Sequence, residues 1–251
     1  MEKTIKKRKK KKFLLFLEGI VKIFYRKRKP IGEENVPNEA CMIISNHSQI
    51  HGPLAGELFL KNKLIWCDGP MMNRKEVPEY TARVFWKDKP KKSMWFYKML
   101  GHLIARPASY ILGNADTIGV FRDTRLFTTF KTTVDALKDG TNIVIYPECP
   151  VERNEIVNEF NLHFVDTARM YYKETGKCLA FVPMYHAVKL KKFVYGKPIY
   201  FDPSIDNVSQ RTRICNYLMD EITALAKSLP RHKVIPFNNV GKKNFKYSKE
   251  K

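Results

Sequence analysis

The sequence has few cysteines and no cysteine pair of the kind that binds metal. Its five cysteines are odd in number and widely spaced, and none stands in a C-x-x-C pair. This pattern indicates neither a disulfide framework nor a zinc site, and a length of 251 residues excludes a disulfide-stapled miniprotein. A reducing cytosol is the compartment that fits it best. The five cysteines are Cys41, Cys67, Cys149, Cys178 and Cys215.

The sequence also lacks an apolar run long enough to cross a bilayer. The best candidate, residues 13–25, would span about 20 Å as a helix, against a hydrocarbon core of about 30 Å. Glu18 and Lys22 interrupt it and no A-x-A-like site follows, which argues against a secretory signal. Basic runs at residues 6–12 and 26–29 flank it. We therefore predict a basic amphipathic helix at a membrane interface, the alternative being a solvated tail and a helix packed on the core.

Acidic residues are scarce. The chain of 251 residues has 25 Asp and Glu against 46 Lys and Arg, a net charge of +21, which predicts an anionic partner. Residues 1–29 carry +11 and residues 241–251 carry +4, which leaves only +6 for residues 30–240. We divide the chain accordingly into a basic tail with its interface helix, one α/β domain and a basic C-terminal tail. The sequence favours lipid over nucleic acid as the anionic partner, because no nucleic-acid module is visible and the lysines adjoin apolar residues.

With 12 Gly, 14 Pro and 44% apolar residues, the composition is that of a folded protein. From residue 40 onward, apolar runs of strand length alternate with amphipathic helical stretches, without internal repeats. The pattern predicts an α/β fold: a mixed, mostly parallel sheet flanked by helices, with the N-terminal basic amphipathic helix in addition. Predicted strands are residues 40–45, 64–67, 117–121, 142–146, 179–185 and 192–199. Predicted helices are residues 53–60, 94–112 with a break at Pro107, 126–138, 160–175 and 212–228.

Polar residues follow three of these strands, at the positions where open α/β sheets hold their sites. His47, after the first strand, is a sensible general base near neutral pH. Arg122 can bind a phosphate, and Glu148 can orient a hydroxyl or form an ion pair with Arg122. His51 stands four residues after His47, but the Glu of H-E-x-x-H is missing, so we predict no metal. Cys149 is an alternative nucleophile.

The order of these segments resembles the motifs of the glycerolipid (lysophospholipid) acyltransferase family. Asn46-His47 is similar to the start of its N-H-x-x-x-x-D box, and residues 119–122 (G-V-F-R) to its arginine block. Residues 146–148 (Y-P-E) resemble its F-P-E-G-T-R-S box, and residues 181–183 (F-V-P) its V-P box. The resemblance covers about residues 43–203.

The resemblance implies O-acyl transfer in phospholipid biosynthesis. His47 would act as general base, Asn46, Arg122 and Glu148 would bind substrate, and His51, Arg125 and Cys149 would be auxiliary. The implied donor is an acyl thioester, carried by coenzyme A or acyl carrier protein, with no cofactor. The acceptor would be a lysolipid or glycerol-phosphate-type molecule. Anionic membrane lipids would be further partners, and the enzyme would lie on the cytoplasmic side, bound peripherally to the inner face of a membrane.

Two departures from the family pattern stand out. Gly52 occupies the position of the family's catalytic Asp, and Cys149-Pro150-Val151 replaces the G-T-R of the third box. Glu57, Asp68 and His51 are the alternatives for the missing acid's role. The competing hypothesis is a catalytically degenerate relative that binds lipid or membrane without transfer.

Overall fold

The computed structural model describes residues 10–87 and 89–249, in which strands and helices alternate along most of the chain. The helices of this part are α1 (Lys12–Phe24), α2 (His51–Phe59), α3 (Val77–Val84), α4 (Met94–Asn114), α5 (Leu126–Lys138), α6 (Asp166–Thr175) and α7 (Asn207–Ser228). Its strands are β1 (Lys29–Ile31), β2 (Met42–Ser45), β3 (Lys63–Asp68), β4 (Thr117–Val120), β5 (Asn142–Ile145), β6 (Glu148–Glu152), β7 (Asn158–Phe160), β8 (Ala180–Ala187), β9 (Lys192–Tyr195) and β10 (Ile199–Tyr200).

Eight strands form one sheet in the order β1-β9-β8-β2-β5-β3-β4, with β10 paired to β8. The run from β8 to β4 is parallel throughout, whereas β9 and β10 are antiparallel to β8. The predicted fold class, a mixed and mostly parallel sheet flanked by helices, is confirmed. Because the parallel strands share one direction, their carboxyl ends meet at one edge of the sheet, where sites of such folds lie. Strands β6 and β7 form a separate antiparallel pair.

An apolar cluster covers each face of the sheet, and successive residues of the central strands belong to the two clusters in turn. Met42 and Ile44 of β2 belong to one cluster, and Ile43 belongs to the other. Successive side chains of a strand point to opposite faces, so an unbroken apolar run fills both cores at once. All four residues of β2 and all eight of β8 are buried.

The predicted helix over residues 126–138 is confirmed at both ends, and the strands near residues 40–45, 64–67, 117–121, 142–146 and 179–185 are confirmed within two or three residues. The continuous strand predicted for residues 192–199 is wrong. It divides into β9 and β10, because the pairing with β8 shifts by one residue between them and Pro198, in the gap, lacks the N–H that a ladder needs. The helix predicted from residue 160 begins at Asp166, because Phe160 pairs with Glu148 in the small sheet.

The predicted break at Pro107 is also wrong, since α4 continues through this residue to Asn114. Proline removes one backbone hydrogen bond, to the carbonyl four residues earlier. Here that residue is Leu103, which is exposed, as is Pro107 itself. The helix therefore loses the bond where water can replace it.

The predicted N-terminal helix forms as α1 and packs on the body through one face. Leu14 is buried at 3% exposure, and Phe13 contacts Tyr110 of α4 edge-on with ring centroids 5.9 Å apart. Lys10 forms ion pairs with Glu57 and with Asp116. Leu14 therefore faces the protein. No helix among the described residues is long and apolar enough to cross a membrane.

Candidate active site

His47 lies in the loop that follows β2, at the carboxyl edge of the sheet. The loop doubles back through Ser48 and Gln49, whose φ values of 50° and 55° lie in the left-handed region. Non-glycine residues adopt this conformation at an energetic cost, and such strain collects at functional sites. The turn brings the Gln49 carbonyl oxygen to 2.5 Å from Nδ1 of His47. A carbonyl can only accept, so Nδ1 carries the proton and Nε2 keeps a free lone pair.

The surroundings of His47 keep its ring neutral near pH 7. Burial lowers the pKa of His47, while the Gln49 carbonyl and the charge of Asp68 act in the opposite direction without overcoming it. The ring meets Tyr146 and Phe237 edge-on, with centroids 5.7 and 5.4 Å away. A neutral imidazole with a free Nε2 is the form that can take a proton from an alcohol.

Gly52, at the position where the motif that this sequence resembles has an acid, has no room for any side chain. A Cβ there would clash with the carbonyl oxygen of His47 and lie 2.9 Å from Cε1 of Tyr146. The Gly52 N–H donates to the same His47 carbonyl (3.0 Å), and the Tyr146 hydroxyl donates to the Gly52 carbonyl (2.8 Å). A backbone carbonyl, that of Gln49, holds Nδ1 of His47 instead of a carboxylate.

Of the three candidates to replace that acid, only one acts on His47 through its charge. Asp68, at the end of β3, is the nearby carboxylate that raises the pKa of His47. Glu57 forms ion pairs with Lys63 and Lys10 instead. The third candidate, His51, shares a 3.1 Å hydrogen bond between its Nδ1 and the Tyr25 hydroxyl.

Glu148 lies beside His47, but its carboxylate is engaged within the protein. One oxygen accepts the backbone N–H of His47 at 2.6 Å, and the other accepts the N–H of Asn158 at 2.7 Å. The side chain is 8% exposed, and burial raises the pKa of Glu148 to about 7 against the effect of the two N–H groups. Glu148 therefore joins the loop that contains His47 to the β6–β7 hairpin.

Asn46 is similarly occupied. Its Oδ1 accepts the backbone N–H of His186 at 2.7 Å, and its Nδ2 donates to the Ser48 hydroxyl, also at 2.7 Å. The side chain is buried and joins the end of β2 to β8 and to the turn beyond His47. These hydrogen bonds fix the position of the end of β2, and therefore of the His47 backbone that follows it.

Arg122, immediately after β4, is exposed at the same edge of the sheet. Burial and Asp68 raise the pKa of Tyr80, and the charges of Arg122 and Arg83 oppose that rise. Tyr80 thus lies near both Arg122 and Asp68, and Asp68 lies near His47. Within the described chain Arg122 forms no ion pair or hydrogen bond, which leaves its guanidinium open to a substrate.

The remaining predicted residues lie farther from this chemistry. Arg125 is bound to Asp123 (2.7 Å) and Glu76 (3.1 Å) and stacks on the ring of Phe121. Cys149 is half-buried in β6, and its thiol has no hydrogen bond to a base within the described residues. The same part of the chain contains no cluster of three or more residues that could hold a metal ion.

Sequence reasoning missed two residues that contact His47. Nothing in the sequence marks Gln49 as a contact of His47, because glutamine rarely adopts positive φ and because the contact is made by its backbone carbonyl. Phe237 lies 190 positions after His47, in a segment without regular structure; the neighbouring Asn238 carbonyl accepts a hydrogen bond from the Gln49 side chain at 3.1 Å. Phe237 and Asn238 thus lie against the loop that contains His47.

No protein-family model matches this chain, and no curated protein matches it. In fold it is similar to the crystal structure of the 1-acyl-sn-glycerophosphate (LPA) acyltransferase PlsC from Thermotoga maritima. The two chains are 12% identical, with a TM-score of 0.43, over 82% of this chain and 78% of that one. We therefore base the function on the geometry of the site.

Proposed function

We propose that this chain is an acyltransferase that moves an acyl group from a thioester donor to a hydroxyl of a lysophospholipid, glycerol-phosphate or related lipid acceptor. The observation that carries the proposal is the His47 ring, held at Nδ1 by the Gln49 carbonyl at 2.5 Å with Nε2 free. The order of the segments around Asn46-His47, Arg122 and Glu148 supports the same conclusion. The donor is acyl-CoA or acyl carrier protein, and no cofactor is needed.

In the proposed reaction, Nε2 of His47 takes the proton of the acceptor hydroxyl, and the hydroxyl oxygen attacks the thioester carbonyl carbon. The carbon–sulfur bond then breaks, and the leaving thiolate receives the proton from the imidazolium. The Gln49 carbonyl dipole and the negative charge of Asp68 stabilise that imidazolium. Arg122 binds a substrate phosphate, because a guanidinium pairs with phosphate oxygens in bidentate fashion.

The test is acceptor-dependent release of free thiol from acyl-CoA. We expect His47→Ala to lower the rate by at least about 100-fold, the usual contribution of a general base. His163→Ala is the matched control, because His163 is an exposed histidine outside the site. Equal rates for wild type and His47→Ala, with acceptor-dependent release in both, would refute the role of His47.

A second candidate function is lipid or membrane binding without transfer. It is favoured by Gly52 and by the internal hydrogen bonds that occupy Asn46 and Glu148. A wild-type protein that binds lipid vesicles but releases no thiol with any glycerol-phosphate or lysolipid acceptor would favour this function over catalysis.

We also propose that the protein binds peripherally to the cytoplasmic face of an anionic membrane through one apolar surface made by α1 and α4. The two helices lie side by side, because Phe13 and Leu17 of α1 line the same cleft as Pro107 and Ile111 of α4. Exposed basic residues flank α1, and they complement anionic headgroups. The exposed apolar residues of this surface are Phe13, Phe16, Ile20, Ile23 and Phe24 on α1 and Trp95, Phe96, Met99 and Leu103 on α4.

Co-sedimentation with vesicles of phosphatidylglycerol and phosphatidylcholine tests this surface. A triple change of Phe16, Ile23 and Phe24 to Ser should weaken binding, because it removes apolar area from the surface, and the protein should stay folded, since all three side chains are exposed. Salt should weaken wild-type binding without abolishing it, because it screens only the charges. The matched control changes three equally exposed apolar residues elsewhere to Ser, and equal loss in both variants would refute the surface. The control residues are Phe127, Val151 and Val208.

A further inference from the structure

Arg28 is a buried guanidinium that has no carboxylate partner among the described residues. It is 5% exposed, and its Nε donates to Nε2 of His186 at 3.0 Å. Its Nη1 donates to the carbonyl of Arg26, and its carbon Cζ lies 4.2 Å from the centre of the Tyr25 ring. Neutral groups thus hold the charge in place, although a buried charge is costly unless an opposite charge compensates it.

Two further basic side chains lie at the same place. The ring of Tyr25, under Arg28, stacks on His51 with centroids 6.0 Å apart, and its hydroxyl meets Nδ1 of His51 at 3.1 Å. Lys189 is in the turn between β8 and β9, and that turn accepts the backbone N–H of Lys29 at 2.8 Å. Burial lowers the pKa of His51, and the charges of Arg28 and Lys189 lower it further, which places both cations near the His51 ring.

This cluster is next to the catalytic histidine, on the side opposite Arg122. Strand β1 runs parallel to β9 and therefore antiparallel to β8 and β2, so its first residue is at the carboxyl edge of β2. His186, whose Nε2 accepts the hydrogen bond from Arg28, donates its backbone N–H to Oδ1 of Asn46. His47 therefore lies between Arg28 on the β8 side and Arg122 beyond β3.

We propose that Arg28, His51 and Lys189 form a binding site for a phosphate group, separate from Arg122, at the β8 side of His47. A phosphate supplies the negative charge that the buried guanidinium lacks, and Arg and Lys are the side chains that bind phosphate most often. The identity of the molecule that carries the phosphate rests on the proposed function. Acyl transfer brings together two phosphate-bearing molecules, a glycerol-phosphate acceptor and a coenzyme A donor, and the cluster holds one of them.

The test reads the His51 ring directly by NMR, without turnover, so a failure of acyl transfer and a failure of this site are separate results. Inorganic phosphate should raise the pKa of His51 by about one unit, because an anion favours the imidazolium. Glycerol 3-phosphate and coenzyme A are the other two probes. Tighter binding of the first assigns the site to the acceptor, and tighter binding of the second assigns it to the donor.

The matched variants are Lys189→Ala and Lys197→Ala, which each remove one exposed lysine. Lys189→Ala should weaken phosphate binding at least about fivefold, since a charge-assisted contact contributes at least ~1 kcal/mol. Lys197→Ala, with its lysine beyond β9, should bind as wild type does. Because Lys189 is exposed, its removal leaves the fold intact, unlike that of Arg28. A His51 pKa that none of the three probes changes, or equal binding by both variants, would overturn the proposal.

Discussion

Gly52 offers the sharpest test of how this site is built, because the family motif has an acid there and this chain has no space for one. A methyl group added by Gly52→Ala would meet the His47 carbonyl and would lie 2.9 Å from the Tyr146 ring and 3.0 Å from the Asn46 carbonyl. Two of these neighbours are backbone atoms of the catalytic loop, which cannot rotate away as a flexible side chain can.

The cost follows from what must move. Overpacking of a tight interior costs about 1–3 kcal/mol. The displaced loop would also weaken two hydrogen bonds, from the Gly52 N–H to the His47 carbonyl and from the Tyr146 hydroxyl to the Gly52 carbonyl. At about 0.5–1.5 kcal/mol each, these bring the expected loss to roughly 2–6 kcal/mol. Gly52→Asp should lose at least as much, because it also brings a carboxylate next to carbonyl oxygens.

Urea unfolding followed by circular dichroism measures this loss. Gly19→Ala is the matched control, because a Cβ at Gly19 meets nothing within 4 Å and the residue is in the interior of α1. There the substitution should be neutral or should add up to about 1 kcal/mol of stability. Wild-type stability of Gly52→Ala, or faster acyl transfer by Gly52→Asp than by wild type, would refute the reasoning.

Three further predictions concern the charges and the thiol around His47. Burial raises the pKa of Glu148 to about 7, above about 4.3 in an unfolded chain, so the folded protein keeps a proton that the unfolded chain has lost. The free energy of unfolding should therefore fall as the pH rises from the unfolded to the folded pKa of Glu148. Glu148→Gln should remove that fall, as measured by urea unfolding at each pH. A variant with the same pH dependence of stability as wild type would contradict the prediction. Asp68→Asn should lower the pKa of His47 in an NMR titration, since the lost charge raises it, and an unchanged pKa would mean that Asp68 does not act on the ring. Cys149→Ser should keep most of the thiol release, whereas loss of transfer there would favour a cysteine acyl-enzyme.

The central sheet could be predicted from the sequence because each of its main strands is a short apolar run. Residues of β2, β5 and β8 are buried on both faces, and such strands read as unbroken apolar segments between turns. Helix α5 was predicted to the residue, because Gly140, with φ of 79°, follows it closely. These signals are local, and local signals are what a single sequence carries.

The candidate site could be predicted only in part. The position of His47 at a strand end was accessible, as was that of Glu148. Their hydrogen bonds were not, since Glu148 meets Asn158 through a hairpin and Phe237 reaches His47 from the far end of the chain. The function of Gln49 depends on a backbone conformation that its residue type does not favour.

The measurement that most directly tests the account is the protonation of the two ring nitrogens of His47 by nitrogen-15 NMR. The 2.5 Å contact with the Gln49 carbonyl predicts that at pH 7 the proton is on Nδ1, that Nε2 is bare, and that the pKa of the ring lies below its usual 6.5. This is the state in which His47 can act as a base without a carboxylate partner. A proton on Nε2, or a doubly protonated ring at pH 7, would contradict the account.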